Sequence, residues 1–145
     1  MTHLILFLGI GFLFFIIYVS YYRQEARYRL RKGELHKGID AALKSFAVEE
    51  SLLEPLKKKW ERIRVEDIEE ISREEKIILL KYLYYRYARY GEVIRGVNFY
   101  LLAFTSNAED EMDHEILELA SRVSPGKDFS RTLRNRAERL KRRAG

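Results

Sequence analysis

The sequence contains no cysteine, which removes disulfide frameworks, thiolate zinc sites and cysteine nucleophiles together. It has one glutamine and three asparagines against many Lys, Arg and Glu, the usage of heat-adapted proteins, so a thermophilic source is expected. Glycine-rich phosphate loops are missing: Gly9-x-Gly11 lies inside an apolar run. His3 and His36 lack an orienting acid and a nucleophile, so nothing supports a catalytic triad. No segment alternates apolar and polar residues with the period of two that a half-buried strand needs, which leaves an all-α fold. No enzyme, metal site or cofactor is expected.

What the chain does have is the run LILFLGIGFLFFIIYV over 4–19. Counting to Tyr22, 19 residues precede the first charge. At about 1.5 Å each they span roughly 28 Å, close to the thickness of a hydrocarbon core. No Lys or Arg precedes the run and no pair of small residues follows it, because Tyr18, Tyr21 and Tyr22 crowd the place where a cleavage site would lie. The reading is an uncleaved signal anchor over 1–23. Arg23, Arg27, Arg29, Arg31 and Lys32 follow it with only Glu25 among them, so the N-terminus is expected outside and the rest in the cytoplasm of a single-pass membrane protein.

About 120 residues remain, enough for one small domain with a single core. The net charge of +5 is uneven: 23–64 carries +5, 65–121 carries −7 and 122–145 carries +7. The division expected is a cytoplasmic helical domain over 24–123 and a basic C-terminal helix or tail over 124–145. The basic ends suit anionic lipid, RNA or an acidic partner, and the acidic middle is expected to face away from the membrane.

The apolar helix meets no breaker before Gly33, which is placed as a terminator. A second helix is expected over 34–48, with Leu35, Ile39, Ala42, Leu43 and Phe46 on one face. Capping boxes are read at Ser51 with Glu54, Ser72 with Glu75, and Ser106 with Glu109. They open a helix past Pro55, a long one over 73–90 that is apolar almost all round, and one over 108–123 with Met112, Ile116, Leu119, Ala120 and Val123 on its face. Between the last two, a helix is expected from Glu92 to about Phe104. Phe129, Leu133, Ala137 and Leu140 mark one side of a final basic helix.

The segments 33–40 and 91–98 match in class at seven of eight places, which predicts a helical hairpin at each glycine. This resembles the turn of a tetratricopeptide repeat, with Leu80, Leu83 and Tyr87 at first-helix packing positions and Gly96, Tyr100 and Ala103 at the small, aromatic and small positions of the second. Tyr84 stands where that family usually has a small residue, and the copies are 58 residues apart. The resemblance implies a groove that binds peptides or assembles partners. A generic αα-hairpin explains the same residues.

Two residue sets stand out as candidate contacts. Tyr84, Tyr87 and Tyr100 with Arg86 and Arg89 are candidates for binding a partner protein. Their interleaved aromatics also suit single strands of nucleic acid, but the segment's negative charge favours helix packing. Arg131, Arg134, Arg139, Arg142 and Arg143 are candidates for anionic lipid or nucleic acid. Glu111 and His114 have the i, i+3 spacing of di-iron bundles, but only one such pair exists, and acids in a first helical turn are stabilised by its dipole without metal. The function expected is a membrane-anchored, non-catalytic scaffold, adaptor or accessory subunit. The alternative is a membrane tether for RNA or ribosomes.

Overall fold

The computed structural model describes residues 2–145 and contains seven α-helices, three short 3₁₀ turns and no strand among them. The chain divides into two compact units, Met1–Glu54 and Pro55–Gly145. This cut differs from the sequence-based division at 23 and 123, because the basic C-terminal helix belongs to the core of the second unit.

In the first unit, α1 (Thr2–Arg31) is a single helix that continues nine residues past the last apolar turn at Tyr22. It is long and apolar enough to cross a membrane, and the apolar stretch is buried nowhere in the protein. Gly33 ends it in the left-handed conformation, φ +79°. Glu34 N–H donates to Arg29 O at 2.9 Å and Gly33 N–H to Leu30 O at 3.1 Å, the paired bonds of a Schellman motif. The chain then reverses into α2 (Leu35–Lys44), which buries Gly38, Ile39, Ala41 and Ala42. Ala26 and Leu30 are the buried residues of α1.

α2 stops four residues short of the expected end. Ser45 takes an extended backbone, and its hydroxyl donates to Ala42 O at 3.0 Å, the competition with helical bonding that serine is prone to. Phe46 therefore leaves the α2 face on which the periodicity placed it and is 62% exposed, its ring edge-on to Phe15 of α1 at 5.5 Å between centroids. The box read at Ser51 does not form: a 3₁₀ turn, Glu50–Leu53, begins there without a side-chain cap, and α3 (Glu54–Arg62) follows.

The second unit is built on α4 (Arg73–Tyr90). Ser72 Oγ accepts from Glu75 N–H at 3.2 Å as expected, while the Glu75 carboxylate turns to Lys59 at 3.1 Å instead of closing the box. Buried residues at Ile77, Leu79, Leu80, Tyr82, Leu83 and Tyr85 cover most of the α4 circumference, as its all-round apolar character requires. Gly91 ends it at φ +65°. The match between 33–40 and 91–98 does not extend to structure. Gly38 is packed within its helix, whereas Gly96 has a positive φ of +74° and cannot lie inside one. Glu92 is drawn back onto Arg86, and α5 (Val97–Thr105) starts five residues later than expected.

Ser106 donates to Glu69 and to Ala103 O at the end of α5 and caps nothing. Asp110 is the cap instead, reciprocating with Asp113 around a 3₁₀ turn, Glu111–Asp113, that leads into α6 (His114–Val123). Met112 lies on this turn and is exposed, not on the α6 face. α7 (Lys127–Ala144) buries Leu133, Ala137 and Leu140 and sets Phe129 against the same core, the stripe expected. That core joins Ile68, Leu80, Leu83, Leu101, Phe104, Ile116, Leu117 and Ala120 to the α7 stripe. Each fully buried Leu or Ile contributes roughly 1.5–3 kcal/mol relative to exposure.

Candidate functional site

The aromatic set on α4 does not form one site. Tyr84 is packed against the core with the Arg122 guanidinium 5.8 Å from its ring, whereas Tyr100 of α5 lies against Trp60 of α3, 4.9 Å between centroids. Tyr87 is the exposed member. Both arginines are engaged: Arg86 forks onto the Glu92 carboxylate with two 2.8 Å bonds, and Arg89 lies over Tyr85. What the helical surface does expose is apolar. Phe99 is 70% and Leu102 52% exposed, three residues apart on α5. The sequence signal for this face is the run VNFYLLAF, more apolar than a helix with one buried side needs.

The acidic first turn of α6 is occupied by cations. Arg73 Nε donates to Asp113 at 2.6 Å, with Asp110 at 3.7 Å from the same guanidinium, and Lys81 stands 3.5 Å from Glu115. No group of three or more His, Asp or Glu able to hold a metal occurs among the described residues.

The expected basic residues of α7 fall on two sides of the helix. Arg136 is tied to the chain, its Nη2 donating to Thr105 O at 3.3 Å and Ala108 O at 3.4 Å. Arg139 and Arg143 follow it at one and two helical turns, and the three guanidinium groups line a cleft of about 420 Å3 with Ala108, Glu109 and Leu140. On the other side Lys141 is paired with Glu118, and Arg134 borders a second cleft with Arg122, Ser121 and Glu138. Arg142 stands 3.9 Å from Glu138 in an exposed pair. Arg131, Arg134, Arg139 and Arg143 have no ion-pair partner among the described residues. Guanidinium groups in this state are able to donate to phosphate oxygens in bidentate fashion.

Polar pairs close the α1–α2 hairpin of the first unit. Arg27 holds Glu49, with Nε donating at 3.0 Å, and Arg29 bridges Glu25 at 2.9 Å and Glu34 at 2.7 Å. The hydrogen bond from Arg29 keeps the Glu34 carboxyl below the usual carboxylate range, and that from Arg27 does the same for Glu49. Gln24, Arg27, Tyr28, Arg31 and Lys32 line a cleft beside the hairpin.

No family model, curated protein or solved structure matches the chain.

Proposed function

We propose that the protein is a single-pass membrane adaptor, a non-catalytic scaffold or accessory subunit of a membrane complex, with its N-terminus outside and its helical units in the cytoplasm. The observation that carries this reading is the exposure of the apolar stretch of α1, from Leu4 to Tyr18, in a chain whose second unit has a hydrophobic core of its own. An apolar cylinder of that length is a poor surface to present to water and a good one to present to lipid. Orientation rests on the basic residues that follow Tyr22, all on one side of the stretch. The partner face is Phe99 and Leu102 on α5, with Tyr87 as a further exposed aromatic.

The test is purification of the full chain in mild detergent and identification of what co-purifies. A stoichiometric membrane protein, lost when Phe99 and Leu102 are changed to Glu, is the expected result. The unpaired arginines of α7 favour one second reading, a tether for RNA or ribosomes. Ribosomal proteins and RNA in the eluate, released by moderate salt and lost with Arg139→Glu and Arg143→Glu, would replace the adaptor with that tether.

A further inference from the structure

The contacts of α2 with α1 run in reverse order along α1 and then turn back. Gly38 lies on Leu30, the Lys44 ammonium sits 4.8 Å from the Tyr22 ring, and Phe46 reaches Phe15. Glu49, three residues on, is again at Arg27. Phe46 is thus at the tip of a turn that climbs the apolar stretch and comes down again. Its neighbours Ser45 and Val48 are buried, while its own ring is largely exposed. The tip lies past the cluster of Tyr18, Tyr21 and Tyr22, because Phe15 stands three residues beyond Tyr18 and seven, about 10 Å of helix, beyond Tyr22.

We infer that the 45–48 turn is a second membrane element, a wedge whose Phe46 ring enters the acyl chains of the inner leaflet beside α1. The inference rests on the reading that α1 crosses the membrane, and it names lipid as the occupant of an exposed ring whose one aromatic contact lies inside the apolar stretch. The apolar face of an element lying at the membrane surface is buried about 5–10 Å into the boundary between headgroups and chains. Lys44, exposed beside Tyr22, is placed to keep its ammonium among the headgroup phosphates while its stem follows the apolar surface. The anchor is then a helix with a barb on its cytoplasmic side, which fixes the depth of the hairpin and its rotation about the α1 axis.

Fluorescence quenching by brominated lipid in vesicles of phosphatidylcholine and phosphatidylglycerol tests this on the full chain. The only tryptophan is Trp60, so a Trp60→Phe background carries either Phe46→Trp or, as the reporter of α1, Leu13→Trp. Both are expected to have blue-shifted emission and to be quenched by brominated chains, with the quenching of Phe46→Trp centred no deeper than that of Leu13→Trp. If Leu13→Trp is quenched while Phe46→Trp emits as in water, the wedge is overturned and the anchor stands. If Phe46→Trp is shielded from bromolipid and from aqueous iodide alike, protein covers the ring and the wedge is again overturned. If neither is quenched, the crossing by α1 itself is refuted. Because the chain has no cysteine, Phe46→Cys labelled with a small polarity-sensitive dye and quenched by nitroxide lipids repeats the measurement without altering Trp60. Dye emission unaffected by those lipids would overturn the wedge by itself.

Discussion

Gly38 of α2 lies so close to Leu30 of α1 that a Cβ added to it would stand 2.5 Å from Leu30 Cδ2, 2.7 Å from Cγ and 3.2 Å from the Leu30 backbone nitrogen. The hairpin is closed by the absence of a side chain. Gly38→Ala must displace Leu30, which is itself buried, and overpacking of this kind costs about 1–3 kcal/mol. Denaturant unfolding in detergent is expected to show that loss, together with faster proteolysis between Gly33 and Leu35. Gly9→Ala is the matched control: a Cβ there meets nothing within 4 Å.

Leu133 is 1% exposed at the centre of the α7 stripe. Its replacement by Ala removes packing against α6 and leaves a cavity, at a cost of about 2–5 kcal/mol. Hydrogen exchange is expected to report it as loss of protection along α7 before the rest of the second unit. Unchanged α7 protection would mean that the helix is held by its ion pairs and not by its apolar side.

Arg73 and Arg86 make ion pairs that differ in geometry and in burial. The Asp113 carboxylate that Arg73 holds is nearly buried, so Arg73→Ala leaves it without its charged partner and is expected to cost about 1.5–3 kcal/mol. Arg86 forks onto a carboxylate in water, and Arg86→Ala is expected to cost at most about 1 kcal/mol. Equal losses in thermal unfolding would show that burial does not set the difference.

The hairpin pairs also predict a direction with pH. Glu34 and Glu49 have carboxyl groups held below their ordinary range in the fold, so the folded hairpin binds fewer protons than the open chain. Their contribution is fully present above the ordinary carboxylate range and is lost as pH falls through the lowered values. Carboxyl NMR titration is expected to find both groups more acidic than free glutamate. Arg27→Gln is expected to raise Glu49 toward the ordinary value and leave Glu34 displaced.

The sequence made the long elements legible and the joints much less so. α1 is written in an unbroken apolar run with the Gly33 terminator, α4 in the Ser72 cap with the Gly91 terminator, and α7 in the spacing of its apolar stripe. At the joints a single pattern had several competing sites. Ser106 with Glu109 and Asp110 with Asp113 both offer an acceptor three residues before an acid, and the second forms because Arg73 of α4 anchors Asp113. That contact spans 40 residues, out of reach of any local rule. The 33–40 and 91–98 segments part because Leu30 is there for Gly38 to meet, while Gly96 meets only ordinary contact with Phe99. For the candidate sites, residue type was readable and availability was not. Arg86, Arg89 and Arg136 look like their neighbours in sequence but are taken up by Glu92, the Tyr85 ring and two carbonyls. Arg139 and Arg143, chosen on the same grounds, are not.

The unbroken course of α1 from the apolar stretch to Arg31 makes it a screw thread. One residue inserted between Tyr22 and Ala26 advances everything after it by about 1.5 Å and turns it by about 100°. The register between the Phe15 contact and the Arg27 clasp is therefore set by a count of residues. A chain with one residue more or fewer in that interval could satisfy the clasp or the contact with Phe46, but not both.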